Sequence, residues 1–420
     1  MILHSVCIIF AINSEDKLKI IHIMKLLYRY IWLLFIILPF ASCSNDDEPK
    51  DNPDQPGTKV ERYLVSVSST EEMTREQLLA KFDVESAYSI LLPNRTIRSA
   101  SLLYYTKDAE GNQIVASGII TYPKDGKTKG TVVGMHYTIT TNDEAPSSKM
   151  YTIESALSFY GYTVICPDYI GYGSTASLPH PYLHAKLTGE CTADLVFAAR
   201  EYMDSLNIST DDSLYVVGYS EGGGAAVAFQ KYAEENYPDK LPLRYVMAGG
   251  GPYDPVATTD TILAHNGSDY PASIPMAIIG LDYGDQLHLN FSKIFLEPLL
   301  SNYNKWINSK TYTSGEINTN LGGGALTNFL SPDFFTTEKN SDIKKLYVSL
   351  NANRLIDWTP KTPLLLVHGK NDKIVPYINA QEAYESFKAR GCNVDLISVD
   401  KASHYDAAIL FYLKVLNKLK

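Results

Sequence analysis

The feature that most constrains the fold of this chain is a serine between glycines, directly after a short apolar run. Residues 213–226 read SLYVVGYSEGGGAA, so a predicted strand leads straight into Gly218-x-Ser220-x-Gly222 and an alanine-rich helix. A sharp strand-to-helix turn needs glycine where side chains would collide, and it exposes the serine hydroxyl beside the free N–H groups of the helix start. The pattern predicts a nucleophilic Ser220. A Gly/Ser turn without chemistry has the same letters, so the prediction depends on partners downstream.

Two later loops provide a carboxylate and a histidine in the required order. The apolar run 364–367 leads into His-Gly-Lys-Asn-Asp, where Asp372 is the candidate acid, and residues 394–399 lead into a loop that ends at His404, the candidate base. A solvated turn aspartate and a solvated loop histidine are the alternatives. A carboxylate that accepts a hydrogen bond from a histidine fixes its tautomer, so that the histidine can take the serine proton. The order serine, aspartate, histidine therefore predicts a catalytic triad.

Short β-branched runs predict eight core strands, with helices between the later ones. The predicted strands are 101–106, 114–122, 131–136, 163–166, 213–218, 244–249, 363–368 and 394–400, and the predicted helices are 152–160, 190–205, 222–236, 377–389 and 405–418. Alternating strands and helices are typical of a mostly parallel sheet with helices on both faces. The fold class is therefore α/β.

One segment, residues 252–358, interrupts this alternation between two consecutive predicted strands. A structureless loop of roughly a hundred residues is implausible in a compact domain. The segment is rich in apolar and aromatic residues, with helix-like stretches at 273–281 and 287–306. We expect a mainly helical cap over Ser220, which would bind substrate and exclude water. An insertion that packs on the domain without touching substrate is the alternative.

The segments GYSEG, HGKNDKIVP and ASHYD together resemble the nucleophile, acid and base motifs of the α/β-hydrolases. The resemblance covers most of residues 61–420, and it is strongest to bacterial esterases similar to secretory lipases. It implies an α/β-hydrolase fold with Ser220 as nucleophile, His404 as general base and Asp372 as the orienting acid. It also implies a serine esterase that forms an acyl-enzyme and uses no metal or organic cofactor.

The same triad leaves two other functions open. A serine peptidase or aminopeptidase of this fold would use the same residues on a peptide bond, and Asp282 and Asp285 are cap carboxylates available to hold an amino terminus. The third hypothesis is a catalytically silent, surface-binding lipoprotein with this fold, although the complete triad argues against it.

The oxyanion hole of such an enzyme needs two backbone N–H donors. The family pattern assigns the first donor to Glu221, the residue after the nucleophile. The second belongs to the loop after the strand that ends in Met-His, where many relatives have glycine and this chain has Tyr137. We expect the Tyr137 N–H to be that donor, with Thr138 as the next choice. His136 is expected to be a structural residue of this loop.

The N-terminal residues resemble a lipoprotein export signal. Residues 24–42 combine a basic start, an apolar stretch too short for a comfortable membrane span and a Phe-Ala-Ser sequence before Cys43. We expect lipid attachment to Cys43 after removal of everything before it. Residues 1–23 are expected to reflect a misassigned start codon. Residues 43–60 are acidic and proline-rich, which predicts a disordered tether.

The composition of the chain limits the classes of molecule that it is expected to bind. The chain is 45% hydrophobic and 20% charged, as globular proteins are, and its net charge of −10 with no long basic run argues against nucleic-acid binding. With the export signal, we expect a lipoprotein in the outer membrane of a Gram-negative bacterium, on the cell surface or the periplasmic face. Its membrane contact would be the lipid on Cys43, and its substrate a small-molecule or glycan-linked ester. The sequence leaves the oligomeric state open.

Overall fold

One nine-stranded sheet organises the part of the chain that the computed structural model describes, residues 62–420 except 86–88, 90–91, 210 and 212. The sheet order is β1-β2-β3-β5-β4-β6-β7-β8-β9. Neighbours from β5 to β9 are parallel, whereas β1, β2, β3 and β5 pair antiparallel. The strands are β1 (Leu64–Thr74), β2 (Thr96–Lys107), β3 (Gln113–Pro123), β4 (Thr131–Met135), β5 (Thr163–Pro167), β6 (Leu214–Tyr219), β7 (Leu243–Gly249), β8 (Leu364–Gly369) and β9 (Val394–Val399).

Eleven α-helices accompany this sheet in the described residues. They are α1 (Arg75–Lys81), α2 (Pro146–Lys149), α3 (Ala185–Ser205), α4 (Glu221–Asn236), α5 (Pro255–His265), α6 (Ser273–Gly284), α7 (Leu299–Tyr303), α8 (Ser314–Asn320), α9 (Ser341–Ala352), α10 (Ile378–Ala389) and α11 (His404–Leu419). No helix in this part of the chain combines the length and the apolar character needed to cross a membrane. The predicted export signal, Cys43 and the tether lie outside the described residues.

The two faces of the sheet bury different side chains, because successive residues of a strand point to opposite sides. Leu214, Val216, Val246 and Ala248 join the main apolar cluster with residues of α3, α4 and α10. The alternate position Met247 is also fully buried. A side chain at Gly249, on the same face as Met247, would meet Phe411 of α11. The predicted α/β architecture, a large sheet with helices on both sides, is confirmed.

Two elements differ from the sequence-based expectation. The sequence does not predict β1, because this strand is polar and most of its residues are exposed. Among the described strands it pairs with β2 alone and forms an edge of the sheet. Residues 153–160 form a 3₁₀-helix instead of an α-helix, and Gly161 ends it with a φ of 97°. All but the last residue of this 3₁₀-helix are buried.

The segment between β7 and β8 contributes helices α5–α9 and no strand of the sheet. It has its own apolar cluster, in which Phe295, Phe329 and Leu330 are almost fully buried. The helix-like stretch 287–306 is divided, with a 3₁₀ turn at Phe291–Lys293 and α7 beginning only at Leu299. Pro298 directly precedes α7, and proline cannot donate the backbone hydrogen bond that a continuous helix requires there.

Candidate active site

Ser220 occupies a strained turn between β6 and α4. Its backbone has φ 62° and ψ −126°, a conformation that costs a non-glycine residue about 1–3 kcal/mol. Its N–H donates to Gly249 O at 2.9 Å, which ties the turn to the end of β7. A Cβ at Gly218 would overlap the carbonyl of Gly222, and one at Gly222 would overlap the carbonyl of Met135. Both glycines are therefore required by the close approach of the helix start to the strands.

His404 connects Ser220 to Asp372. Its Nε2 atom lies 2.9 Å from Ser220 Oγ, and its Nδ1 atom lies 2.6 Å from Asp372 Oδ2. His404 is the first residue of α11, and Ser403 and Asp406 form a capping box that fixes this helix start. The Tyr219 hydroxyl donates to His404 O at 2.5 Å. The structure therefore brings together the three residues predicted as a triad, with only 5% of the His404 surface exposed.

The carboxylate of Asp372 accepts two backbone N–H groups and lies beside two histidines. Its Oδ1 accepts the N–H groups of Ile374 and Val375, each at 2.9 Å. Its Oδ2 faces His404 and also His368, whose Nε2 lies 3.3 Å away. Burial opposes ionisation, but the hydrogen bonds from the two histidines outweigh it and hold the pKa of Asp372 well below its usual range. Asp372 is thus an ionised acceptor for His404.

His368 was missed as a site residue, although it stands inside the motif quoted for the acid. Its position in β8, four residues before Asp372, puts it beneath the loop that carries the carboxylate. The sequence places His368 in an apolar strand, and nothing in that strand predicts that its histidine contacts Asp372.

The predicted oxyanion donors come from the start of α4 and from the loop after β4. Glu221 is the first residue of α4, so its N–H has no partner within the helix. Tyr137 follows β4 and lines the same cavity as Ser220. The ring nitrogens of His136 lie 2.7 Å from Tyr137 O and 3.2 Å from Asp168 O, which fits the structural role expected for this histidine.

The side chain of Glu221 has an unexpected partner. Its Oε1 atom lies 2.8 Å from Nε2 of His180, and each residue is only 7% exposed. His180 belongs to the loop between β5 and α3, forty-one positions away from Glu221. No motif in the sequence marks His180, so only the folded chain shows this contact.

Ser220 and His404 line a cavity of about 320 Å³. The insertion between β7 and β8 contributes part of its wall, including Ile262, Tyr270 and Ile274. Among the described residues, Glu144 is the only acidic residue of the lining. Six lining residues are tyrosines: Tyr137, Tyr182, Tyr219, Tyr270, Tyr405 and Tyr412. The cavity is therefore mainly apolar and aromatic, and its polar side chains are hydroxyls together with Glu144 and His404.

The two insertion carboxylates considered for a peptide amino terminus do not line this cavity. Asp282 accepts the N–H of Leu289 at 2.8 Å. Asp285 accepts hydrogen bonds from Ser349 and Asn353 and lies 3.1 Å from His184 Nε2. Among the described residues, no group of three His, Cys, Asp or Glu side chains is arranged to hold a metal ion.

Comparison with known families decides the class of this chain. The family model of the secretory lipases matches residues 138–411, about two thirds of the sequence, a range that contains Ser220, Asp372 and His404. The chain belongs to the secretory lipase family. This membership supports the prediction of a carboxylic ester hydrolase, and the matched range includes the whole insertion between β7 and β8.

Two fungal lipases are among the curated relatives. A secreted triacylglycerol lipase, LIP4 of Malassezia globosa, is 25% identical over 279 residues, which are 64% of this chain and 56% of that protein. Lipase 1 of Candida albicans is 26% identical over 56% of this chain and 48% of its own length. The chain thus spans about half the length of these two relatives.

Solved bacterial structures match the fold more completely. A candidate hydrolase from Legionella pneumophila has a TM-score of 0.75 and 26% identity, with 85% of this chain and 98% of that chain covered. The rice cell wall degrading esterase LipA from Xanthomonas oryzae has a TM-score of 0.70 and 24% identity, with 84% and 96% covered. The likeness to LipA supports the fold alone.

Proposed function

We propose that this secretory lipase family member is a serine hydrolase that cleaves carboxylic esters through Ser220, His404 and Asp372. The observation that carries the proposal is the continuous hydrogen-bond chain from Ser220 Oγ through His404 to Asp372, at the wall of an apolar cavity. A nucleophile and base within hydrogen-bond reach, with the base oriented by a carboxylate, is the arrangement that acyl transfer requires.

The proposed reaction follows from this geometry. His404 Nε2 takes the Ser220 proton as Oγ attacks the ester carbonyl, and the carbonyl oxygen becomes an oxyanion that accepts the N–H groups of Glu221 and Tyr137. The C–O bond then breaks, and the alcohol leaves with the proton from His404. Water attacks the acyl-enzyme by the same proton transfers and releases the acid. Asp372 stabilises the imidazolium in both steps.

The cavity favours neutral esters with apolar acyl groups. Its lining has tyrosine, serine and threonine hydroxyls but no lysine or arginine that would pair with an anionic substrate. Glu144 uses its Oε2 to accept the N–H groups of Thr140 and Thr141. Because that carboxylate already caps a turn, we do not assign it to a peptide amino terminus, and ester hydrolysis is preferred over peptidase activity.

A Ser220→Ala variant tests this function. The wild-type protein should hydrolyse p-nitrophenyl esters of short and medium chain length and should be labelled by a fluorophosphonate at Ser220. Ser220→Ala should keep the same thermal unfolding midpoint and lose both properties. Wild-type turnover of aminoacyl arylamides above that of esters would support a peptidase instead. Folded wild-type protein without labelling would support the silent binding protein.

We propose further that the protein is exported and anchored by a lipid on Cys43. The support is the lipobox-like sequence before Cys43, together with the similarity to a secreted lipase of Malassezia globosa. Expression in a Gram-negative host with an alkyne-tagged fatty acid tests the anchor. The wild-type chain should incorporate the label and fractionate with outer membranes, and Cys43→Ser should do neither. Label incorporation by Cys43→Ser would contradict the assignment.

A further inference from the structure

The buried pair formed by Glu221 and His180 adjoins the turn that carries the nucleophile, because Glu221 is the residue after Ser220. Glu221 follows Ser220 in the chain, so its carboxyl group is only a few bonds away from the N–H proposed to hold the oxyanion. Ionisable groups this deeply buried are costly unless they are paired. The position after the nucleophile thus carries an acid that needs the histidine.

The hydrogen bonds of His180 determine the charge of the pair. Its Nδ1 lies 2.7 Å from the carbonyl oxygen of Ile170, which can only accept, so Nδ1 carries a proton. Its Nε2 lies 2.8 Å from Glu221 Oε1, and two such atoms at this distance require a proton between them. Whichever atom holds that proton, the pair as a whole is neutral.

Three tyrosine rings surround His180. Tyr169 stacks on it with ring centroids 5.9 Å apart and an interplanar angle of 14°, and the rings of Tyr172 and Tyr182 lie 5.0 and 5.8 Å away. The Tyr182 hydroxyl lies 2.9 Å from Thr138 Oγ1, in the loop of the second proposed donor. These rings hold the imidazole in place, and Tyr182 links them to the loop that carries the second proposed donor.

We propose that His180 is a positioning residue for catalysis, which keeps Glu221 neutralised and so allows the Glu221 N–H to stabilise an oxyanion. The inference rests on the proposed function and assigns this buried pair to that same site. Without His180, Glu221 would present an unpaired negative charge close to the developing oxyanion. Coulomb repulsion at a separation of several ångströms and an effective dielectric constant near 20 slows such a step on the order of 10- to 100-fold.

The test compares His180→Gln, Glu221→Gln and the double variant, with Ser220→Ala as the blank. Two experiments are done on each variant. The first measures kcat and KM for p-nitrophenyl butyrate, and the second measures the second-order rate of Ser220 phosphonylation by a fluorophosphonate. We expect His180→Gln to lower kcat and the phosphonylation rate by about 10- to 100-fold, with KM changed less than about threefold. Removing the carboxylate in the double variant should restore most of that loss.

Controls separate this role from a structural one. His184→Gln alters another buried histidine with a carboxylate partner, Asp285, outside the cavity lining, and it should leave both rates unchanged. If the double variant is as slow as folded His180→Gln, or if His180→Gln has wild-type rates, the proposal is wrong. His180→Asn replaces His180→Gln in the same comparison if the latter does not fold.

The phosphonylation rate also distinguishes the two levels of the argument. A wild-type protein that is labelled at Ser220 but cleaves no ester would overturn the proposed function, while the labelling rates of the variants would still test the pair. Ester cleavage by the wild type with no dependence on His180 would overturn the pair alone.

Discussion

The imidazole of His368 lies 3.3 Å from Oδ2 of Asp372, so the proposed catalytic acid contacts a second histidine besides His404. His368 Nε2 is also 2.9 Å from Val375 O, which identifies Nε2 as the protonated nitrogen. His368 is fully buried, and its Nδ1 has no hydrogen-bond partner in the described part of the chain. Because it is Nε2 that lies beside Asp372, we expect His368 to act on the proposed catalytic acid through this nitrogen.

Replacing His368 by leucine should therefore lower both the catalytic rate and the stability of the fold. Loss of the shared N–H leaves Asp372 less firmly oriented, and we expect kcat for p-nitrophenyl butyrate to fall roughly threefold to tenfold with KM unchanged. The free energy of unfolding should fall by roughly 1–3 kcal/mol, because leucine leaves Val375 O without its donor and removes a partner of the buried Asp372 carboxylate. Urea denaturation measures the latter. Wild-type kcat in a folded variant would contradict this role.

Asp372→Asn should separate the electrostatic part of the triad. The amide cannot stabilise the imidazolium or hold the same tautomer of His404, so kcat should fall on the order of 10⁴-fold. The pKa of Asp372 is lower in the folded protein than in the unfolded chain, where it is about 3.9. Its stabilising contribution is therefore present above about pH 4 and lost as the pH falls below it.

The stability of the wild type relative to Asp372→Asn should accordingly decrease between about pH 5 and pH 2. Urea unfolding of both proteins across that range measures this difference. A difference that stays constant with pH would show that the carboxylate gains nothing from its histidine partners.

The extent to which sequence predicts this molecule follows from where the information lies in the chain. Ser220, Asp372 and His404 each follow a short apolar strand, and strand ends at one edge of a parallel sheet converge, so local motifs were enough to group them. β1 escaped prediction because a polar edge strand has no apolar run. The pairing of Glu221 with His180 is a long-range contact between a loop and a helix, and neither residue is marked by its neighbours.

Ala277→Phe tests the part of the insertion in the site. Ala277 and Ile274 line both the cavity at Ser220 and a smaller apolar pocket of about 40 Å³ in the insertion. A phenyl group at this shared wall should exclude long acyl chains and leave short ones room. We expect turnover of p-nitrophenyl decanoate to fall at least about tenfold relative to the acetate, since each buried CH₂ contributes about 0.8 kcal/mol.

Val348→Phe is the matched control for this substitution. Val348 lies on α9 of the same insertion and is 70% exposed. It gains the same ring without changing the cavity, so its ratio of decanoate to acetate turnover should equal that of the wild type. An equal ratio for Ala277→Phe would mean that the acyl chain does not enter this part of the insertion.

Lys310 connects the insertion to the rest of the protein and gives it a pH dependence. Its ammonium donates to Leu178 O at 3.3 Å and Asn308 O at 3.0 Å, and only 4% of the residue is exposed. Burial lowers the pKa of Lys310 to about 8, whereas the unfolded side chain titrates near 10.4. Between these values the unfolded state binds more protons than the folded state, so stability from this residue rises with pH.

The free energy of unfolding of the wild type relative to Lys310→Met should therefore increase by roughly 2–3 kcal/mol between pH 7 and pH 10, since one pKa unit corresponds to about 1.4 kcal/mol. Urea denaturation at several pH values measures it. Lys344→Met, at an exposed lysine of α9, should stay parallel to the wild type over the same range. A constant difference between wild type and Lys310→Met would mean that Lys310 binds its proton with ordinary affinity in the folded protein. The burial of Lys310 argues against this outcome, because the hydrogen bonds of its ammonium include no carboxylate.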